Sequence, residues 1–128
     1  RKNRLINANI GGRMINIDMK IKIYLYAGST DMRKGMNGLA MLVEEKVSDK
    51  NDKEGLFVFR GKKGDKLKML WWDGQGFCLY YKCMDKGRFA WLKTNEVGVV
   101  GITKGQLAML LEGIDWRSPI WSNKPTYS

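Results

Sequence analysis

Histidine is absent from this sequence of 128 residues. It is the commonest general base and metal ligand of proteins, and it completes the serine and cysteine nucleophile pairs of most hydrolases. The phosphate-binding patterns G-x-x-x-x-G-K-[ST] and G-x-G-x-x-G and the serine pattern G-x-S-x-G are missing as well. These absences exclude the common hydrolase and nucleotide-binding classes, and we predict that the protein is not an enzyme.

Cysteine is scarce, since the sequence contains Cys78 and Cys83 and no others. With neither a second cysteine pair nor a histidine, this C-x-x-x-x-C spacing cannot complete a tetrahedral zinc site within one chain. Cys78 lies inside a strand-like stretch and Cys83 at its end, not at turns where short-range bridges close easily. We therefore expect reduced thiols, with Cys78 as a small core residue, and we expect neither a metal nor a cofactor.

Three carboxylates could serve a two-metal DNA transferase, namely Asp31, Asp73 and either Glu96 or Asp115. Each has a simpler interpretation. Asp31 can cap a helix, Asp73 sits in a turn sequence, and the other two are typical surface charges. We favour the simpler interpretation, which leaves no catalytic residue to name.

Long apolar runs are also missing, and none approaches the ~20 residues that a membrane span requires. We expect a soluble, cytoplasmic protein without membrane contact. Acidic residues are few, with 13 Asp and Glu against 23 Lys and Arg, so the formal net charge is +10. A positive field over so small a protein makes polyanions its natural partners.

Hydrophobic periodicity predicts an α+β fold. Residues 1–13 are a basic extension that we set aside as disordered or not native to the protein, residues 14–116 form a single α+β domain, and residues 117–128 form a loose tail. Alternating isoleucines predict a strand over residues 14–26. Further strands are expected at 56–60, 67–72 and 77–82, with a candidate at 89–92.

Apolar residues at three- and four-residue steps predict helices over residues 32–47 and 103–112. Ser29, Thr30 and Asp31 offer caps for the first helix, and Thr103 with Gln106 matches a capping box for the second. Short loops between the strands favour an antiparallel meander of four to five strands. We expect both helices on one face of this sheet, and the sequence leaves open where the first strand pairs.

A cluster of basic residues surrounds the predicted hairpins. Alternation places Lys66 and Lys68 on the sheet face opposite the core, where we expect Lys82 to join them. Phosphate would relieve the repulsion within this cluster, whereas protection of a sheet edge against aggregation is the alternative explanation. The candidate nucleic-acid contacts are Arg60, Lys62, Lys63, Lys66, Lys68, Lys82, Lys86 and Arg88.

Nine of the fourteen aromatic residues fall between Phe57 and Trp91, so this region is rich in aromatic rings as well as in positive charge. The adjacent pairs Trp71-Trp72 and Tyr80-Tyr81 must point to opposite faces of their strands. One member of each pair can fill the core, and the other can meet a helix, a protein partner or a base. A rival hypothesis is therefore a protein-docking site at Trp72 or Tyr80 with Gln75 in the hairpin loop.

Several strings resemble one family. They are YLYAGSTDMRKG at 24–35, NGLA at 37–40, LFVFRGKKGDKLK at 56–68, LWWDGQGF at 70–77, YK at 81–82, GRF at 87–89, QL at 106–107 and GIDW at 113–116. These strings resemble the insertion-sequence-66-type second-ORF proteins of bacteria, often called TnpB-like. In that family the string that corresponds to residues 57–68 looks like F-x-F-x-G-R-R-G-D-R-x-K.

The resemblance implies an accessory role in transposition of a bacterial mobile element, beside a separate DDE-type transposase encoded in the same element. The expected partners are DNA, bound largely without sequence preference, and that transposase. The sequence departs from the family pattern by carrying Lys62, Lys63 and Lys66 where arginine is usual, and Cys83 where a basic residue is common. Lysine lacks the bidentate fork of arginine, so contact with the phosphate backbone is expected in preference to base recognition.

Overall fold

The computed structural model describes residues 5–10, 13–18, 20–47, 54–93 and 98–117. The elements in these ranges, in chain order, are β1 (Leu5–Ile10), β2 (Arg13–Asp18), β3 (Ile23–Ser29), α1 (Met36–Lys46), β4 (Leu56–Arg60), β5 (Lys66–Trp72), β6 (Phe77–Cys83), β7 (Val99–Ile102) and α2 (Lys104–Leu111). None of the helices in the described ranges is long and apolar enough to cross a membrane.

The main sheet has the strand order β6-β5-β4-β3-β7. Three of its pairings are antiparallel, and β3 with β4 is parallel. A parallel pair needs a long crossover connection, which here contains α1. The α+β class with a mostly antiparallel sheet is confirmed. The meander is limited to β4, β5 and β6, and β3 lies inside the sheet between β4 and β7.

The two helices contact opposite faces of this sheet, so the expectation of a single covered face was wrong. Leu56 and Val58 are buried in the cluster that contains the α2 leucines, whereas Phe57 and Phe59 are buried in the cluster that contains Leu39 of α1. Successive strand residues point to opposite faces. The unbroken apolar run of β4 can therefore be buried only if both faces are covered.

The strand predicted over residues 14–26 is divided into β2 and β3, with a turn at Lys20. β2 pairs with β1 in a separate two-stranded sheet, whereas β3 joins the main sheet. Alternation is the same in both pieces and does not show that they pair with different partners. β1 lies within residues 1–13, the predicted extension. The division of the chain into extension, domain and tail stays a prediction. Residues 118–128 lie outside the described residues.

Local signals placed the ends of α2 better than those of α1. The capping box is confirmed, since Thr103 Oγ1 accepts from the Gln106 N–H at 3.0 Å and Gln106 Oε1 accepts from the Thr103 N–H at 2.9 Å. α1 instead begins at Met36, after Gly35, without a side-chain cap. Residues 89–92 form no strand but contribute buried Phe89 and Trp91 to the core, and β7 takes the remaining place in the sheet.

Candidate nucleic-acid interface

Two loops at one end of the sheet are joined through the carbonyl oxygen of Gly64. This oxygen accepts hydrogen bonds from the Phe89 N–H at 3.0 Å and from Trp91 Nε1 at 2.9 Å. Gly64 has a φ of +82°, and a Cβ there would lie 3.0 Å from Arg88 Cδ. A side chain at this φ would be strained and would displace Arg88, so glycine is favoured here, and the hydrogen bonds to Gly64 hold the 61–65 loop against the 84–88 loop.

Five cations are carried by these two loops and by the first residue of β5. We call them the basic loop cluster, and they are Lys62, Lys63, Lys66, Lys86 and Arg88. All but the half-buried Lys66 are exposed. Asp65 lies 4.0 Å from Lys66, a separation at which surface ion pairs contribute little, and Asp85 adds a second carboxylate to the loops. The end of the sheet therefore keeps an excess of positive charge.

Lys68 occupies a different environment from the basic loop cluster. Its side chain is 7% exposed, and Nζ donates to the carbonyl oxygens of Met32 and Lys34 at 2.8 Å each. The ammonium also lies 4.8 Å from the centre of the Tyr81 ring. Lys68 thus anchors the segment before α1 to the sheet, and a buried side chain held in this way is poorly placed to reach phosphate.

Lys82 does not share a face with Lys66 and Lys68, contrary to our expectation. In the β5–β6 register Lys82 is opposite Leu67, and adjacent strand positions point to opposite faces. Lys82 Nζ donates to the carbonyl oxygen of Leu111 at 2.6 Å, where α2 ends. A cation at a helix C-terminus is favoured by the helix dipole. Arg60 is half-buried at the end of β4. It is opposite Leu67 in the register and therefore lies on the same sheet face as Lys82.

The aromatic pairs divide between the faces as predicted. Trp71 is buried and Trp72 is 47% exposed, whereas Tyr80 is partly buried against the α2-side core and Tyr81 is 51% exposed. Phe77, which is opposite Trp72 in the register, is also 47% exposed. Sequence reasoning missed Phe77, although a four-residue turn after Trp72 places it there.

The three residues of the docking hypothesis do not meet at one place. Gln75 is exposed in the β5–β6 turn beside Trp72, at the opposite end of the sheet from the basic loop cluster. Its N–H donates to Asp73 Oδ1 at 2.8 Å. Tyr80 belongs to the opposite face from Trp72. A partner at this corner would therefore meet Trp72 and Gln75 without Tyr80.

Each of the described carboxylates considered as a metal ligand bonds to groups near it in the chain. Asp31 follows β3 and pairs with Arg33, Asp73 begins the turn at the other end of the sheet, and Asp115 pairs with Arg117. These hydrogen bonds lower the pKa of each carboxyl, that of Asp115 to about 2. No group of three potential metal ligands occurs within the described residues. Glu96 lies outside them.

The two cysteines are free thiols in different environments. The Cys78 thiol donates to Asp73 Oδ2 at 3.4 Å, and burial together with this carboxylate raises the pKa of Cys78 to about 11. Cys83 is exposed at the end of β6. Since the thiolate is the reactive form, the two thiols should differ in reactivity.

We predict that iodoacetamide at mildly alkaline pH modifies Cys83 and leaves Cys78 unmodified. The raised pKa keeps Cys78 protonated until the pH approaches about 11, and partial burial hinders access to it. Peptide mass spectrometry measures the modification at each site. The Cys83→Ser variant is the control and should take up almost no label. Equal labelling of both cysteines in the folded protein would contradict this assignment.

Comparison with known proteins decides the family. A family model described as IS66 Orf2 like protein matches residues 21–120. The chain belongs to the IS66 Orf2-like family. This family consists of accessory proteins associated with insertion sequences. The matched segment runs from just before β3 to beyond α2, and it includes the basic loop cluster and the β5–β6 hairpin.

Two relatives of this IS66 Orf2-like protein come from Sinorhizobium fredii (strain NBRC 101917 / NGR234). One, "Uncharacterized protein y4hO", is 45% identical over 114 residues, which are 88% of this chain and 97% of the relative. The other, "Uncharacterized protein y4jC", is 31% identical over 117 residues, with the same two coverages. No solved structure matches this chain.

Proposed function

We propose that this IS66 Orf2-like protein assists transposition of its insertion sequence by binding nucleic acid through the basic loop cluster. The observation that carries the proposal is the Gly64 joint, which holds two cation-bearing loops together at one end of the sheet. Loops that are already held together need less ordering when an anion binds, and this lowers the entropic cost of binding.

Phosphate is the chemical group that suits this cluster. Four of its five cations are lysines, which act as point charges and do not form the bidentate contacts that read a guanine edge. Lys62 and Lys63 project from an exposed turn, and Lys86 and Arg88 lie in the adjoining loop. We therefore propose that the cluster contacts the phosphate backbone of the nucleic acid and has little preference for its base sequence. Lys68 and Lys82 are left out of the contact set because main-chain carbonyls hold their ammonium groups.

A second proposal is docking on the transposase of the same element. The exposure of Trp72 beside Gln75 supports it, since large aromatic side chains are frequent at the centres of protein interfaces. The two proposals use opposite ends of the sheet. Capture of the transposase after nuclease treatment, and its loss in Trp72→Ala, would favour docking without direct DNA contact.

The proposed function predicts that reversing the charge of Lys62, Lys63 and Lys66 to glutamate abolishes binding to duplex DNA at low salt. In the parent chain, log affinity should fall linearly with log salt concentration, with a slope of about −0.9 for each phosphate neutralised. Fluorescence anisotropy of a labelled duplex, repeated over a salt series, measures both the affinity and the slope.

A matched control separates the site from the overall charge. Reversal of Lys20, Lys22 and Lys104, which lie toward the other end of the sheet, changes the net charge by the same amount. This control should keep most of the duplex affinity and the parent salt slope. Equal loss in the two variants, or no loss at Lys62, Lys63 and Lys66, would reject the basic loop cluster as the binding site.

A further inference from the structure

We propose that the bound nucleic acid is an unpaired DNA strand whose bases stack on the aromatic face of the β5–β6 hairpin. We define this aromatic face as Trp72, Phe77 and Tyr81. The inference rests on the proposed function and extends it, because it identifies the form of nucleic acid and a second contact surface. It also assigns a role to exposed aromatic rings that the packing of the core does not use.

The exposed aromatic side chains of the described residues all lie on one face of one hairpin. Trp72 and Phe77 are each 47% exposed and Tyr81 is 51% exposed. Trp72 is opposite Phe77, and Tyr81 is opposite Lys68. Alternation places all of them on the sheet face against which α1 packs. Such clustering of half-exposed rings at an edge strand differs from singly scattered apolar residues, which need no explanation.

The Trp72–Phe77 pair forms a corner that suits a flat ring. The two rings are 5.2 Å apart with an interplanar angle of 80°. Beside them is a small hollow that they line together with Ala40, Val43 and Glu44. A carboxylate at this hollow disfavours phosphate, so the uncharged base is the part of a nucleotide that suits the corner.

The aromatic face and Lys66 of the basic loop cluster lie on the same face of the hairpin, and Leu79, which packs into the α1-side core, lies between Tyr81 and Phe77. Lys66 is opposite Cys83, two residues beyond Tyr81 on the same face. The order along the hairpin is therefore basic loops, Lys66, Tyr81 and then the Trp72–Phe77 corner. Phe77 and Tyr81 are four residues apart, which is about 13 Å along a strand. A single DNA strand in an extended conformation would place its phosphates at the lysines and its bases at the aromatic rings.

An unpaired strand fits this arrangement better than a duplex. In a duplex the faces of the bases are stacked on one another, whereas an unpaired strand exposes them to aromatic side chains. Base stacking on an aromatic ring tolerates any sequence because every base has such a face. This agrees with a cluster built mainly from lysine, in which binding would depend little on sequence.

The test compares a mixed-sequence DNA single strand of roughly 16 nucleotides, a length within the range of single-domain sites, with a duplex of the same sequence. Trp72→Ala combined with Phe77→Ala should weaken single-strand binding about tenfold or more. The salt slope should stay as in the parent chain, because stacking releases no counterions. Duplex affinity should change little. Bound single strand should also quench tryptophan emission in the parent chain.

Two further variants serve as controls. Met41→Ala removes another exposed apolar side chain, 63% exposed on α1, and should leave single-strand affinity unchanged. Trp72→Phe keeps an aromatic ring and should retain more affinity than Trp72→Ala. Circular dichroism of each variant verifies folding, which these half-exposed positions should allow.

The outcomes distinguish failure of this inference from failure of the proposed function. If the charge-reversed chain loses binding while Trp72→Ala with Phe77→Ala binds the single strand like the parent, stacking is refuted and the basic loop cluster stands. If the charge-reversed chain keeps its affinity, the proposed function itself fails. If the aromatic variant loses capture of the transposase but not of the single strand, the face is a protein-docking surface and the inference is overturned.

Discussion

Trp91→Ala is expected to lower the free energy of unfolding by about 3–5 kcal/mol, as truncation of a large buried aromatic does in other cores. The Trp91 side chain is 7% exposed, and its ring lies 5.7 Å from that of Phe89 in an edge-to-face arrangement. The indole N–H also donates to the carbonyl oxygen of Gly64. The substitution therefore creates a cavity and removes part of the joint between the two basic loops. Urea denaturation measures the change.

Trp91→Phe is the matched control for this substitution. Phenylalanine keeps most of the apolar volume but cannot donate to Gly64, so the loss should be smaller, about 1–3 kcal/mol. Both variants should weaken duplex binding in conditions where they are folded, because the 61–65 loop is held less firmly against the 84–88 loop. A free energy of unfolding within about 1 kcal/mol of the parent for Trp91→Ala would show that this packing is not important.

Lys68→Glu is expected to destabilise the fold by about 3–5 kcal/mol, the cost of leaving a buried charge without compensation. The new carboxylate would be close to the carbonyl oxygens of Met32 and Lys34, which now accept hydrogen bonds from the ammonium. Acceptor groups cannot satisfy one another, and the segment that leads into α1 should separate from the sheet. Thermal and urea unfolding measure the loss.

Lys68→Met distinguishes anchoring from nucleic-acid contact. Methionine keeps the apolar stem but lacks the terminal ammonium and its charge-assisted hydrogen bonds, so a loss of about 1.5–3 kcal/mol is expected. The salt slope of duplex binding should not change, because an anchoring lysine neutralises no phosphate. A slope reduced by about 0.9 in this variant would return Lys68 to the set of phosphate contacts.

Predictions that depended on local sequence agree best with the structure. The Thr103–Gln106 capping box needs residues within one turn, and it is present as predicted. The division of Trp71 from Trp72 and of Tyr80 from Tyr81 follows from strand geometry alone, and the exposures confirm it. The family was likewise predictable from short strings, and the family match over residues 21–120 includes all of them.

Predictions that depended on pairing between distant segments were less successful. Alternation could not show that residues 14–26 would be divided between two sheets, nor that β3 would lie between β4 and β7. The continuous apolar run of β4 was available as a sign of burial on both faces, but the helices were still assigned to one face. Asp31 bonds to Arg33 instead of capping a helix, because α1 begins five residues later.

The basic region shows the same limit at the level of single residues. Lys66 and Lys68 have the same position in the strand alternation, and their sequence neighbours are similar. Lys66 is nevertheless half-buried at the end of the sheet, while Lys68 lies beneath the segment before α1 and bonds to its carbonyls. Nothing within the hairpin itself indicates which of the two lysines is buried, since the segment that covers Lys68 is more than thirty residues away in the chain.

The sequence by itself determined the charge, the absence of histidine chemistry, the strand-like and helical periodicities, the α2 cap and the family. Each of these depends on composition or on residues close together in the chain. The tertiary structure alone decided which faces the helices cover, which lysines remain exposed, and that Gly64 joins the two basic loops. The physical reason is that side-chain burial and hydrogen bonding across the sheet depend on contacts between distant segments, which local periodicity does not encode.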